Sequence, residues 1–481
     1  MLDDVEALPA AVERSIPHAE GQPYAPTVGR RASIMTNVGA CVALCRADLA
    51  RARGDAAREV AFATAALAQA GEADDLLRAM ARYHLAETDW LAGKLLDAER
   101  AMSAILGRWA TSDEWLVLLR IGFDLGALQQ DQGRLTAALR TYRTLEARAD
   151  TAASALAGMA QVGVAMVLYE RDELTAAAAQ AAAGVERCRR LAYGPPLVTG
   201  LITLAKIRLA AGDRAGAFAA IEEAETAVPA IADRRVPLGA RRAELALASG
   251  DVAEAARWVR ERGLAVDDEP AYPHDVAYHV LARVLIANGD PGPAVRMLRR
   301  WTALAVAQGR TANVLAGQVL EAVAHAAAGD EPAALAALAE ALTLAAPEGY
   351  LRCFLDEGVP IVDLLRTLLV GRRLDDLVGP GAVPRAFLVR LTAAFGRQGT
   401  PILPAARPGA VAVPGLVEPL SGREREVLGL VAAGRPNRAI GEELFVGLDT
   451  VKRHVSHIFV KLGVANRTEA VARARVLGLL A

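Results

Sequence analysis

The ten residues GRLTAALRTY, 133–142, decide the fold. Gly133 supplies the left-handed backbone conformation that ends a helix at little steric cost. Leu135, Ala138, Leu139 and Tyr142 then fall at offsets 0, 3, 4 and 7, one apolar stripe along a second helix. Working outward, the same turn returns at Gly54, Gly93, Asp172, Gly212, Gly250, Gly289 and Gly329, giving steps of 39, 40, 39, 40, 38, 39 and 40 residues. Five residues beyond a turn stands an alanine: Ala98, Ala138, Ala177, Ala217, Ala255, Ala294 and Ala334. Only the first unit departs, with Glu59. An alanine one turn into the second helix lets two antiparallel helices approach closely, and each pair must bury its stripe against the next pair. The spacing predicts an all-α solenoid of helical hairpins over residues 36–345, after a tail or partial first helix at 1–35.

Composition agrees. Hydrophobic residues make up 53% of the 481 and aromatics only 4%, so the apolar content is mostly the helix-compatible Ala, Leu and Val. The N-terminus, MLDDVEALPAAVERS, is acidic where a secretory signal is basic and then apolar. The longest apolar stretch, residues 155–169, is broken by Gln161 and falls short of the roughly 20 residues of a membrane span. A soluble, cytoplasmic protein with no membrane partner is expected. The four cysteines, Cys41, Cys45, Cys188 and Cys353, contain no CxxC and read as small buried residues in a reducing compartment. Cys41 and Cys45, one helical turn apart, could form a metal half-site, but buried spacing is the preferred reading. GxSxG, HExxH and any convergent Ser/His/Asp or Cys/His set are missing, so the expectation is no enzyme, no cofactor and no metal.

A solenoid offers a long concave groove. It is expected to take a small-molecule inducer or a protein partner, the bland alternative being a spacer that binds nothing. Residues 346–395 are expected to cap the array, with Asp356 and Glu357 solvated, since neighbours on a helix do not face one another. The segment 396–419 carries five prolines and four glycines and reads as an extended tether.

Residues 420–481 hold ten Lys and Arg against six Asp and Glu, a net +4 in a chain of overall charge −2. The remainder is therefore −6, and positive charge is concentrated in this module. Four short helices are expected: from Ser421, with Glu424 closing a capping box, to Gly434; from Pro436 or Asn437 to Phe445; from Asp449 or Thr450 to Leu462; and from Asn466 or Arg467 to Leu477. In the third, Val451, Val455, Ile458 and Leu462 fall at 0, 4, 7 and 11 and face the core, so Lys452, Arg453, Ser456 and Val460 point away. Two cations and a small hydroxyl on the outer face of a helix that follows a tight turn suit entry into a DNA major groove. Lys and Arg donate to guanine O6 and N7, and Ser reaches a base or a phosphate. His454 and His457 stand at i, i+3, but no third ligand lies nearby in sequence, so packing or phosphate contact is preferred to a metal.

The run LSGREREVLGLVAAGRPNRAIGEELFVGLDTVKRHVSHIFVKLGVANRTEAV resembles the LuxR-type helix-turn-helix nearly end to end. The resemblance rests on Arg423-Glu424, Glu426-Val427-Leu428, Gly434, Asn437, Ile440, Leu444, Thr450-Val451-Lys452, His454, Ile458, Lys461-Leu462, Val464, Asn466-Arg467 and Glu469-Ala470-Val471. It implies double-stranded DNA as partner, with Lys452, Arg453 and Ser456 at base edges and Thr450, Lys461 and Arg467 near phosphates. It also implies a homodimer on DNA through the fourth helix, and RNA polymerase as a further partner. Ala439, Gly441, Gly447 and His457 depart from the usual Glu, Ala, Ser and Asn. Gly441 inside the second helix costs about 1 kcal/mol, and loss of the Ser cap at 447 roughly another 1. Gly followed five residues later by Ala, between paired helices, resembles the tetratricopeptide repeat, although that family's usual period is about 34 and its Trp/Tyr/Pro anchors are mostly missing; the longer period, with PEGY at 347–350 and FLDEG at 354–358, resembles the repeat domain of MalT-type regulators. Such regulators carry an ATP-hydrolysing domain before the repeats. This chain has no GxxxxGK[ST], and residues 1–35 are too few to hold one, so ATP-dependent switching is not carried over. The expected function is a sequence-specific transcription regulator. Its rival is a repeat scaffold whose terminal module docks protein, which would put apolar anchors where Lys452 and Arg453 stand.

Overall fold

All eight turn positions adopt positive φ, from 59° at Asp172 to 84° at Gly212 and Gly250. The computed structural model describes residues 37–72, 74–108, 115–150, 157–191, 194–227, 238–370, 373–398, 422–443, 448–462, 464, 466–477 and 479. Among them are 24 helices and no strand. The first four turns join α1 (Val38–Ala52) to α2 (Ala56–Gln69), α3 (Asp75–Leu91) to α4 (Leu95–Arg108), α5 (Trp115–Asp131) to α6 (Leu135–Asp150), and α7 (Ala157–Glu170) to α8 (Leu174–Leu191). The next four join α9 (Gly194–Ala210) to α10 (Arg214–Ala227), α11 (Leu238–Ala248) to α12 (Val252–Glu261), α13 (Asp275–Ala287) to α14 (Pro291–Ala307), and α15 (Thr311–Ala327) to α16 (Glu331–Ala345). The seven repeat alanines are all fully buried, and so is Glu59. Leu135, Ala138 and Tyr142 are likewise fully buried, with Leu139 packed at the margin. Cys188 is buried as expected, but Cys45 is exposed: its place on α1 faces away from the array.

The groove is bridged by contacts between distant hairpins. Beyond α16 the chain turns at Gly349 and crosses back to the third and fourth hairpins. The Leu351 N–H donates to the Glu170 carbonyl at 2.8 Å, the Thr136 N–H to Glu348 Oε2 at 2.7 Å, and Tyr169 Oη to Asp356 Oδ2 at 2.7 Å. A second crossing joins Tyr272 Oη to Asp131 Oδ2 at 2.6 Å, where Trp90 Nε1 also donates, at 2.8 Å. The array thereby closes on itself around a cavity of about 1250 Å³. Of the two carboxylates expected to be solvated, Asp356 is exposed, although it also bonds Tyr169 and Arg352, whereas Glu357 is corrected: it is largely covered and accepts from Arg283 Nε at 3.1 Å. The cap consists of α17 (Arg352–Leu355), α18 (Val359–Val370), α19 (Arg373–Val378) and α20 (Arg385–Arg397). Because α20 runs to Arg397, a tether cannot begin at 396.

The chain divides into two compact units at residues 402 and 403. The second contains α21 (Gly422–Ala432), α22 (Asn437–Glu443), α23 (Leu448–Leu462) and α24 (Arg467–Val476) around its own core. Helix α23 starts one residue earlier than expected. Ser421, Phe445, Val446 and Gly447, invoked for the caps and turn, lie outside the described residues.

Candidate nucleic-acid interface

Helix α23 is held by its inner face. Val451, Ile458 and Leu462 are buried and Val455 is partly buried, packed with Val427, Leu428 and Val431 of α21 and with Ile440 of α22. Two polar ties fix the helix further. Lys461 Nζ donates to Glu424 Oε2 at 2.9 Å, and Glu424 is only 4% exposed, so the pair fastens the end of α23 to the start of α21. Arg467 Nη2 donates to the carbonyls of Val431 at 3.0 Å and Arg435 at 2.6 Å, while Nη1 reaches Asn437 Oδ1 at 3.4 Å. Asn466 caps α24, its Oδ1 accepting from the Glu469 N–H at 2.9 Å. Lys461 and Arg467, expected near phosphates, thus also bind partners inside the domain, a carboxylate for Lys461 and backbone and amide oxygens for Arg467.

Lys452 and Ser456 are exposed on the outer face, and His457 is exposed beside them. The side chains of Thr450 and Arg453 lie outside the described residues. His457 is the member of this face that the residue pattern left between packing and phosphate contact. The available signal was its offset of four from Arg453, one turn along the same side of the helix. The outer face thus presents an ammonium, a hydroxyl and an imidazole above an aliphatic inner face.

The repeat unit supplies a second candidate site, the cavity, for which the sequence named no residues. Trp90, Asp131, Tyr272, His279, Arg283 and Arg352 are among its lining. Burial pushes the Asp131 carboxyl above its ordinary value, against the hydrogen bonds from Tyr272 and Trp90. Burial also lowers the His279 pKa to about 4. The cavity wall therefore mixes aromatic faces with fixed polar groups.

Fold and site together define a helical-repeat protein that ends in a four-helix module of the helix-turn-helix class. The family described as the MalT-like TPR region matches residues 40–370, and bacterial regulatory proteins of the luxR family match residues 418–474. The chain belongs to the MalT-like TPR family and carries a LuxR-family domain at its C-terminal end. It is 30% identical over 237 residues to the HTH-type transcriptional regulator MalT of Cronobacter sakazakii, covering 48% of this chain and 26% of that protein. The chain thus matches about a quarter of the length of the MalT relatives. The transcriptional regulatory protein LiaR of Bacillus subtilis is 49% identical over 57 residues, covering 12% of this chain and 27% of LiaR. A tetratricopeptide repeat protein from Parabacteroides merdae matches at a TM-score of 0.33 and 14% identity, covering 57% of this chain and 99% of the other.

Proposed function

We propose that the chain is a sequence-specific DNA-binding transcription regulator of the bacterial cytoplasm, with the repeat unit as its sensor or protein-interaction module. The observation that carries this is the polarity of α23: Lys452, Ser456 and His457 exposed on one side, Val451, Ile458 and Leu462 buried on the other. A protein-docking helix wants apolar anchors on the outer side. Lys452 and Arg453 read guanine O6 and N7, Ser456 and His457 contact adjoining base edges, and Thr450 meets the phosphate backbone. Lys461 and Arg467 act by position, holding α23 against α21 and α22 so that its outer face is presented at one angle. Helix α24 supplies the homodimer contact on DNA, in keeping with Val476, which is 78% exposed. The cavity receives a small-molecule inducer, and RNA polymerase is the downstream partner. No described helix is long and apolar enough to cross a membrane.

Selection of bound duplexes from a random pool by the full chain tests this. The wild type should enrich two half-sites about one helical turn apart, with log affinity falling by about 0.9 per unit log salt for each neutralised phosphate. Lys452→Ala should relax one base position by about 1–3 kcal/mol. An unchanged selected sequence, or binding indifferent to salt, refutes the reading.

A further inference from the structure

Glu59 breaks the repeat's alanine rule, and it does so in the buried interior. Its side chain is fully buried at the contact of α2 with α3, where each of the other seven hairpins needs only a methyl group. A carboxylate there is costly unless something binds it.

Two residues of α3 meet it. His84, fully buried, places Nδ1 at 3.1 Å from Glu59 Oε1. Glu87, three residues on and therefore on the same face, is 2% exposed. One ligand atom from each of Glu59, His84 and Glu87 lies within 4.8 Å of the other two. The second imidazole nitrogen, Nε2, has no hydrogen-bond partner and stands 3.7 Å from Asp48 Oδ1. Arg51 and Arg120 approach Glu87 at 3.7 and 4.0 Å.

We propose that Glu59, His84 and Glu87 bind a divalent transition-metal ion of the zinc class, three protein ligands that tie α2 to α3 and leave one coordination position open. Ligands about 2.0–2.2 Å from a tetrahedral zinc stand roughly 3.3 Å apart, close to the observed separation of Nδ1 and Oε1. Ligation through Nδ1 directs Nε2–H at Asp48, the outer carboxylate that commonly orients a metal-bound imidazole. Arg51 faces Glu87 Oε1 and Arg120 faces Oε2, both at long range, so one oxygen can turn to the ion while the other keeps its guanidinium. No spacing in the sequence announces the site, because its ligands come from two hairpins; the one visible sign is the glutamate at an alanine position. The competing arrangement is an imidazolium clasped by Glu59 and Asp48, and it binds no metal.

The test uses the full chain, dialysed with equimolar zinc and then against metal-free buffer, with metal content read by mass spectrometry. Cobalt substitution, followed by its visible absorption, gives a spectroscopic reading of the same site. Wild type should retain about one zinc per chain. Glu59→Ala, which restores the alanine of the other hairpins and so preserves the fold, should retain none while keeping its far-ultraviolet circular dichroism. His84→Gln should lose the cobalt band. Wild-type protein that leaves dialysis without zinc overturns the proposal. So does equal zinc content in wild type and Glu59→Ala, since the ion would then sit elsewhere.

Discussion

Burial pushes the His279 pKa down to about 4, with Arg283 and Arg241 adding to the effect while Asp275 and Glu244 oppose it. In the unfolded chain the imidazole takes its proton near pH 6.5. Between those values the unfolded state binds a proton that the folded state refuses, so stability is full above pH 6.5 and is lost as pH falls toward 4. The loss amounts to about 3 kcal/mol at 1.36 kcal/mol per pH unit. Urea unfolding of the repeat unit between pH 7 and 4.5 should therefore be steeper in wild type than in His279→Gln, and equal slopes would disprove the linkage. The same scale shows what the sequence could not reveal about Lys461 and Arg467, their partners inside the domain. A basic residue in a basic module suggests a phosphate, but the partners that claim these two, Glu424 and the Val431 and Arg435 carbonyls, stand 37, 36 and 32 residues away. Charge is visible in a string of residues; the distant groups that bind it are not. The outer face of α23, by contrast, follows from helical period alone, and there exposure of Lys452 and Ser456 matches the pattern.

At the scale of elements, Tyr142 explains how the third and fourth hairpins interlock. Its ring is fully buried on α6 and lies against Gly126 of α5 and Gly163 of α7. A Cβ added at Gly126 would come within 2.4 Å of that ring, and one at Gly163 within 2.3 Å. Both glycines serve here as missing side chains within helices. Gly163→Ala should force the ring aside and cost about 1–3 kcal/mol, the usual range for overpacking, visible as a lower urea midpoint. A midpoint at the wild-type value would show that the ring has room to move. The hairpins were legible in the sequence because each turn demands one residue of positive φ and each close crossing one small residue, constraints that act within a few positions. Asp172 belongs to the series although it is not glycine. Its φ of 59° is tolerated where its carboxylate accepts from Arg352 at 3.2 Å and Arg397 at 2.7 Å. Closure of the array was not legible. The contacts that make it, Tyr272 with Asp131 and Tyr350 with the Gln130 carbonyl, join residues 141 and 220 apart and leave no period in the sequence.

That closure changes what kind of molecule the repeat unit is. In an open solenoid stability is a sum of nearest-neighbour terms, and damage at one end stays at that end. Here the segment after the eighth hairpin is bonded to the third and fourth, so the two parts share one equilibrium. Arg352 is the clearest joint: 3% exposed, it bonds Asp172 at the turn of the fourth hairpin and Asp356 in its own segment, with its guanidinium 5.2 Å from the centre of the Tyr169 ring. Arg352→Ala removes the cation from a buried set of charges, a change that costs about 3–5 kcal/mol. Hydrogen exchange then separates the two kinds of molecule. A closed array should lose protection in α5 and α7 as well as in α17, because the 348–356 segment is their wall; an open one should lose it only in the helices that adjoin residue 352 in sequence. Exchange confined to residues 331–370 would mean that the crossing contacts carry little energy. Loss that extends to α7 would mean that a ligand filling the cavity, by pressing on either wall, shifts the stability of both.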